Sequence, residues 1–238
     1  MKDRKKAPAP HSTRKARILV ADDHPLFREG LVQLVDRERD IACCGQTNTV
    51  AATQQAVTTL MPDLLVLDLR LKDSDGLELI KGLKARFPEL RILVLSQHDE
   101  TLYAERALRA GAKGYLMKEE ATREVLNAIR TTLQGELYLS RRMTVRALHK
   151  LLDNPPQARG NYLERLTDRE LQVFQMLGAG KATADIAAEL HLSSKTVETH
   201  RENIKHKLGL HNAADLLCHA VNWVQGRSTG DPRAGSSQ

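Results

Sequence analysis

Carboxylate, hydroxyl and ammonium groups follow several short apolar runs in the first half of this 238-residue sequence. Asp22 and Asp23 follow the run RILVA, and Asp68 follows LLVL. Ser96 ends the run RILVLS, and Lys118 follows GYLM. Short apolar runs bounded by turn residues are typical of buried strands, and parallel strands bring their carboxyl ends to one edge of a sheet. We therefore expect these five side chains to converge on one crevice.

Residues of these types in one crevice could carry out phosphoryl transfer. Three neighbouring carboxylates repel one another unless a cation lies among them. Mg²⁺ suits such a site, because it prefers oxygen ligands and is usually held by one or two carboxylates, waters and phosphate. A lysine and a hydroxyl nearby could bind phosphoryl oxygens. A carboxylate in this position could act as a nucleophile and become an acyl phosphate.

The segments that must position these residues alternate between strand and helix patterns. Five βα units in series predict an α/β doubly wound five-stranded parallel sheet with helices on both faces, as in flavodoxin-like folds. The run IACCGQ is the weakest strand and is expected at an edge of the sheet. The predicted helices cover residues 25–36, 50–60, 75–86, 100–110 and 121–134.

The sequence changes character after residue 134. The stretch DNPPQARGN lacks apolar periodicity and contains two prolines and a glycine, which indicates a linker. Residues 162–226 then have helical patterns throughout. Thr167 and Glu170 have the spacing of a capping box that begins a helix. Further along, the turn HLSS joins two short helices, so a small all-α helix-turn-helix domain is predicted.

The net formal charge of +6 is unevenly distributed. Residues 1–17 carry +6, residues 18–134 carry −3 and residues 135–238 carry +3. This asymmetry predicts two domains with different partners, the second of which binds a polyanion. The basic arm at 1–16 and the low-complexity tail at 227–238 are predicted to be disordered.

Cysteine usage and hydropathy predict a cytoplasmic protein that does not associate with membranes. Cys43, Cys44 and Cys218 fit neither a zinc site nor a redox pair, and reduced thiols are typical of the cytosol. No apolar stretch approaches the roughly 18 residues that a membrane span needs. The basic N-terminus is not followed by the apolar core of a signal peptide, so export is not predicted.

The third helix of the second domain has one apolar face and one polar face. At about 100° per residue, Val197, Ile204 and Leu208 fall together and must face the core. A polar, compact outer face is what a reader of the DNA major groove requires, although a solvated helix face of mixed charge has the same pattern. This outer face carries Lys195, Thr199, Glu202 and His206, with Glu198 and Asn203 at its flanks.

The constellation in the first half resembles the receiver domain of two-component response regulators, over about residues 17–134. The resemblance implies that Asp68 is the phosphoacceptor and that Ser96 and Lys118 contact the phosphoryl group. It also implies that Tyr115 is an aromatic switch that turns inward on activation. The implied ligands of Mg²⁺ are Asp22, Asp23, Asp68 and the backbone carbonyl of Arg70.

Two positions depart from the receiver pattern. Lys72 stands where the family usually has proline, and Gln97 stands where a small residue is commoner. Both changes bear on access to the phosphoacceptor. Arg70 and His98 are expected near the path of the attacking water in this family, and we predict that they tune dephosphorylation.

The second half resembles the LuxR-type (GerE-type) helix-turn-helix over about residues 163–224, through the run LTDRE…IAAEL…SSKTVETHRENIKHKLGL. The resemblance makes 194–208 the recognition helix. His191 stands where the turn usually has glycine, and histidine there carries a higher cost for a left-handed backbone. The implied dimer face lies on the last helix and uses Leu216, Leu217 and Val221. The predicted DNA contacts are Lys195, Thr196, Glu198, Thr199, His200, Arg201, Glu202, Lys205 and Lys207.

The order of these modules resembles the NarL/FixJ type of response regulator. The implied domains are a receiver at 17–134, a linker at 135–161 and a DNA-binding domain at 162–226. The implied function is phosphorylation-dependent regulation of transcription, with a sensor histidine kinase, double-stranded DNA and a second copy of the chain as partners and RNA polymerase as a further candidate. The receiver is expected to mask the recognition helix until it is phosphorylated. The chain is not predicted to be an enzyme beyond assisting its own phosphorylation and dephosphorylation.

Two other functions are compatible with parts of the sequence. A phosphatase with an aspartyl nucleophile, as in haloacid-dehalogenase-like enzymes, would also use an Asp at a strand end, but it needs an acid where Arg70 stands. The other alternative is a DNA-binding protein that phosphorylation does not control. Turnover of a phosphate ester would support the first, and DNA binding that ignores phosphorylation would support the second.

Overall fold

A computed structural model describes residues 14–71, 74–97, 100–120, 122–145 and 162–225. Residues 1–13 of the predicted arm, the tail, the second half of the linker, Lys72 and His98 lie outside these ranges, and Ala16, at the end of the predicted arm, belongs to the first strand. The first domain is the predicted doubly wound sheet, with five parallel strands in the order β2-β1-β3-β6-β7 and a small antiparallel hairpin of β4 and β5. The strands are β1 (Ala16–Ala21), β2 (Ile41–Thr47), β3 (Leu64–Leu67), β4 (Arg70–Leu71), β5 (Ser74–Asp75), β6 (Arg91–Ser96) and β7 (Gly114–Met117).

Helices cover both faces of this sheet because its strands are apolar on both sides. Alternate residues of a strand point to opposite faces, and in β1 Ile18 and Val20 belong to one buried cluster while Leu19 and Ala21 belong to the other. The weak strand β2 lies at an edge, as predicted. The helices are α1 (Pro25–Asp36), α2 (Val50–Leu60), α3 (Gly76–Arg86), α4 (Glu100–Ala110) and α5 (Thr122–Leu133), each within one residue of its predicted bounds.

The chain after α5 packs against the first domain before it leaves the described region. Tyr138 pairs with the edge of β7, where its N–H donates to Lys113 O at 2.9 Å and its carbonyl accepts from Tyr115 N. Residues 141–145 are helical, and Met143 is buried. The predicted linker therefore begins with residues that belong structurally to the receiver-like domain.

The second domain is a bundle of four helices that follows a short 3₁₀ turn (Tyr162–Arg165). Its helices are α6 (Asp168–Gly178), α7 (Thr183–Glu189), α8 (Ser194–Leu208) and α9 (Ala213–Val224). Thr167 and Glu170 form the predicted capping box at the start of α6, and Ser193 caps α8. Among the described residues, no helix combines the length and hydropathy that a bilayer span requires.

Contacts between the domains centre on Arg106 of α4. Its guanidinium lies 2.7 Å from an oxygen of Asp168, and it donates to the carbonyls of Leu163 and Leu166 at 3.1 and 2.7 Å. Tyr103, one turn earlier on α4, donates its hydroxyl to Gln175 at 2.8 Å. These contacts attach α4 of the first domain to the beginning of the second.

Candidate functional site

The register of the parallel strands brings Asp22 and Asp68 to the same edge of the sheet. The N–H of Asp22 donates to Thr47 O at 3.0 Å, and the N–H of Asp68 donates to Ala21 O at 2.8 Å. Each aspartate therefore lies at the carboxyl end of its strand, where the inter-strand hydrogen bonds stop. Both are buried, with exposures of 2% and 3%. Buried carboxylates need a compensating charge.

Lys118 supplies that charge. Its Nζ lies 2.6 Å from Asp22 Oδ2 and 2.7 Å from Asp68 Oδ2. The backbone N–H of Lys118 donates to Ser96 O at 3.0 Å, so the ends of β6 and β7 are locked together beside the carboxylates. Ser96 is fully buried, and Tyr115 lies in the core with 1% exposure. The ring of Tyr115 is thus already inward, whereas the prediction has it turn inward on activation, and its role as a switch stays a prediction. The structure thus brings together residues at the carboxyl ends of four different strands.

Two residues of α1 support this site, and neither was predicted. The ring centroid of Phe27 lies 4.6 Å from Lys118 Nζ, a distance at which an aromatic face attracts a cation. Arg28 donates to the backbone carbonyl of Asp22 at 2.7 Å, which fixes the end of β1. Because α1 begins directly after the two aspartates, its first turn must lie over the site, and this is the signal that could have identified both residues.

The acidic cluster has the donors for a divalent cation. One ligand atom from each of Asp22, Asp23, His24 and Asp68 lies within 4.8 Å of all the others. Asp23 Oδ1 is buried and makes no hydrogen bond. Such an oxygen is costly to bury without a partner, so the cluster fits a cation of the Mg²⁺ type. The N–H of Arg70 donates to Asp68 Oδ1 at 3.1 Å, so the backbone of Arg70 runs beside the site.

The side chains predicted to influence access to Asp68 point in different directions. Arg70 directs its guanidinium away from the cluster, to Glu189 of the second domain at 3.5 Å. Gln97 is exposed at the rim. The predicted role of Arg70 in dephosphorylation remains a prediction, and the structure gives its side chain a contact between the domains.

The recognition helix α8 presents the polar face that the angular analysis predicts. Val197, Ile204 and Leu208 are completely buried in the second domain. Arg201 is anchored by Thr183 and Glu198, both at 2.8 Å. The exposed residues of the outer face are Lys195, Glu198, Thr199, Glu202 and His206, while Thr196, Arg201 and Lys205 are partly buried at its margin.

Two of the predicted DNA contacts lie on the inner side of α8. Lys207 Nζ lies 2.7 Å from Glu170 Oε2, inside the capping box of α6. Although burial raises the pKa of Glu170, hydrogen bonds from Lys207 and Thr167 outweigh it and keep the pKa below the ordinary value. His200 is partly buried, and burial lowers its pKa. We therefore assign Lys207 and His200 to the packing of α8 against α6.

The dimer face predicted on α9 requires a correction. Leu216 is 1% exposed and packs in the core of its own domain, so it cannot contact a partner in this conformation. Leu217 and Val224 are about half exposed, and Val221 lies between them with intermediate burial. The apolar surface available on α9 is therefore Leu217, Val221 and Val224.

The expected masking of the recognition helix is absent from the described part of the chain. The first domain contacts the second through the 3₁₀ turn, α6 and the end of α7. The outer face of α8 is exposed to solvent in this arrangement. In this conformation the two domains are in contact while the outer face of α8 stays accessible.

Comparisons with known proteins agree with both halves of this description. Residues 18–130 match the response regulator receiver domain, and residues 164–220 match the bacterial regulatory proteins of the luxR family. The chain is 32% identical over 209 residues to the oxygen regulatory protein NreC of Staphylococcus aureus, which covers 86% of this chain and 96% of that protein.

Two solved structures of related regulators are similar to this chain. RcsB of Salmonella enterica, bound to the promoter rprA in the presence of the phosphomimetic BeF3⁻, is 26% identical, covers 87% of this chain and 99% of that chain, and has a TM-score of 0.63. A LuxR-family response regulator of Aurantimonas is 28% identical over 59% of this chain and 100% of that chain, with a TM-score of 0.55. The chain therefore belongs to the two-component response regulators that join a receiver domain to a LuxR-type DNA-binding domain.

Proposed function

We propose that Asp68 is the residue through which phosphorylation controls this regulator. In this reaction a carboxylate oxygen of Asp68 attacks the phosphorus of a phosphohistidine on a sensor kinase. The P–N bond breaks, a P–O bond forms, and the kinase histidine leaves as a neutral imidazole after it takes up a proton. The proposal rests on the position of Lys118, whose Nζ lies 2.7 Å from Asp68 Oδ2. This buried ammonium could bind a phosphoryl oxygen on Asp68.

The surrounding residues have separate roles in this proposal. Asp22, Asp23, Asp68 and the backbone carbonyl of Arg70 would hold Mg²⁺. When bound, the cation neutralises charge on the phosphoryl oxygens. Ser96, the last residue of β6, would move toward the phosphoryl group. Tyr115 would fill the space that Ser96 leaves, and because its ring is already buried this would need only a small further movement. The chain itself would act only on its own phosphorylation and dephosphorylation.

The DNA-binding step is assigned to the exposed face of α8. Lys195 and Arg201 can reach phosphates, and Lys205 lies at the margin of the same face. Glu198 and Glu202 would accept hydrogen bonds from base edges such as cytosine N4, because phosphate would repel them. Support comes from the RcsB structure, a relative with the same domain order that is bound to a promoter.

Phosphorylation is proposed to favour a homodimer on two DNA half-sites. The exposed apolar residues Leu217, Val221 and Val224 of α9 would supply the contact between the DNA-binding domains. Since the outer face of α8 is already exposed, the phosphoryl group need not uncover it. Control would then operate on the pairing of two copies, in the cytoplasm where kinase and DNA are both accessible.

The test is to measure oligomeric state and DNA affinity with and without beryllofluoride and Mg²⁺, which together mimic the acyl phosphate. We expect the wild-type chain to dimerise and to bind DNA more tightly in their presence, and Asp68→Asn to do neither. Asp63→Asn is a matched control, because Asp63 lies at the opposite end of the same strand. Equal DNA affinity of the wild type in both conditions would contradict the proposal.

A further inference from the structure

His24 places an imidazole at the mouth of the carboxylate cluster. It occupies the N-cap position of α1, yet its side chain makes no capping hydrogen bond. Its Nδ1 instead lies 2.8 Å from Asp23 Oδ1, 3.5 Å from Asp22 Oδ1 and 3.9 Å from Asp68 Oδ2. The imidazole therefore faces three carboxylates instead of capping α1.

The contact between His24 and Asp23 is close but is not a hydrogen bond. Asp23 Oδ1 is buried and has no hydrogen-bond partner, although Nδ1 of the imidazole is only 2.8 Å away. Lys118 cannot serve this oxygen in the same conformation, because its ammonium is held by Asp22 Oδ2 and Asp68 Oδ2. A cation bound to both Asp23 and His24 would satisfy the oxygen and the ring nitrogen together.

The distances suit one coordination sphere. Metal–ligand bonds of about 2.1 Å place neighbouring ligands of an octahedron about 3 Å apart and opposite ligands about 4.2 Å apart. The three separations from Nδ1, between 2.8 and 3.9 Å, lie close to this range. The imidazole therefore needs little movement to share a metal ion with the carboxylates.

We propose that His24 Nδ1 is a direct ligand of the divalent cation, and that this site therefore favours a transition-metal ion such as Mn²⁺ over Mg²⁺. Carboxylates suit both ions, whereas an imidazole ligand adds affinity for first-row transition metals and little for Mg²⁺. The inference rests on the proposed function, since the same carboxylates hold the cation. It adds the identity of the ion and a ligand from outside the three aspartates.

The test is Mn²⁺ binding to the full chain at about pH 8, where an ordinary imidazole is neutral. Pulsed electron paramagnetic resonance of bound Mn²⁺ detects a directly coordinated ¹⁴N, and titration gives the ratio of the Mn²⁺ and Mg²⁺ dissociation constants. His24→Phe keeps an aromatic ring of similar size without a donor. His211→Phe, at an exposed histidine of the second domain, is the matched control for adventitious binding.

We expect a ¹⁴N coupling in the wild type and in His211→Phe, and its loss in His24→Phe. The preference for Mn²⁺ over Mg²⁺ should fall at least about tenfold in His24→Phe. Bound Mn²⁺ without nitrogen coupling in the wild type, or coupling that persists in His24→Phe, would overturn the inference alone. The proposed function would stand in either case if beryllofluoride still drives dimerisation, whereas a failure of any divalent ion to bind would count against both.

Discussion

The proposed phosphoacceptor site and the proposed DNA-reading face of α8 are built in opposite ways. The first brings together buried groups that follow β1, β3, β6 and β7, and Asp22, Asp68 and Lys118 there have side-chain exposures of 3% or less. The second is one continuous helix whose outer side chains are exposed or, at the margin, partly buried. The first region depends on the whole fold for its geometry, whereas the second depends on a single helix and its packing.

This difference separates the effects of substitutions on stability and on binding. Removing a buried charge leaves its partners uncompensated, which typically costs several kcal/mol. Removing an exposed side chain usually changes stability by less than about 0.5 kcal/mol. We therefore expect substitutions in the receiver site to alter folding and function together, and substitutions on the outer face of α8 to alter DNA binding alone.

The largest effect on stability is expected for Lys118→Met. Asp22 and Asp68 would lose the cation that lies within 2.7 Å of both, and the free energy of unfolding should fall by about 3 kcal/mol. Urea denaturation measures this change, and saturating Mg²⁺ should restore part of it, because a ligand that binds only the folded state stabilises it. Lys113→Met, at an exposed lysine of the same domain, should change stability by less than about 0.5 kcal/mol. If both variants lost the same free energy of unfolding, burial would not explain the cost of removing the Lys118 charge.

A smaller effect is expected for Gly178→Ala in the second domain. A Cβ there would lie 2.3 Å from Ala220 O and 2.6 Å from Val224 Cγ2, so α6 and α9 would have to separate. Overpacking of this kind costs about 2 kcal/mol, which thermal or urea unfolding would detect. Gly82→Ala is the matched control in α3, where a Cβ meets no atom within 4 Å and should stabilise by about 0.5–1 kcal/mol. If Gly82→Ala were also destabilised, the loss in Gly178→Ala could not be attributed to the contact between α6 and α9.

The turn before α8 offers a substitution in the stabilising direction. His191 has a φ of 53°, the left-handed backbone that favours glycine. His191→Gly should raise the free energy of unfolding by about 1 kcal/mol, because a left-handed residue with a side chain costs about that much. The measurement is the urea midpoint of the full chain. A lower midpoint would show that the imidazole makes a contact worth more than the backbone strain.

The smallest effect on stability is expected for Lys195→Ala on the outer face of α8. Its unfolding midpoint should match the wild type, because Lys195 is exposed. The affinity for DNA should fall, and the slope of log affinity against log salt should decrease in magnitude by about one. Lys113→Met should leave both DNA quantities unchanged. If the dependence of DNA affinity on salt were unchanged in Lys195→Ala, Lys195 would not contact a DNA phosphate.

Periodicity and strand order were enough to predict the framework of both regions. The five strand ends follow from apolar runs in a fixed βα alternation, and the orientation of α8 follows from Val197, Ile204 and Leu208. These predictions succeeded because both patterns repeat over short distances in the sequence. The apolar content of the runs also predicted that the weakest strand, β2, lies at an edge, but the order of the other four strands did not follow from the sequence pattern.

Residues whose roles depend on packing between elements could not be predicted in this way. In α9, Leu216 and Leu217 are adjacent and equally apolar, and only the packing of α9 against α6 shows that Leu216 faces inward. Arg106 and Asp168 are 62 residues apart, and no local pattern links them. Nothing in the local sequence pattern distinguishes His24, and only the first turn of α1 shows that its ring lies beside the carboxylates.

The attachment of α4 to the second domain has a thermodynamic consequence. Buried apolar side chains from both domains form one continuous cluster, which includes Leu102 and Tyr103 on one side and Leu163 and Phe174 on the other. An apolar interface couples the stabilities of the domains that share it, so we expect calorimetry of the full chain to show overlapping transitions of the two domains. A ligand at the proposed phosphoacceptor site would then also raise the melting temperature of the DNA-binding domain.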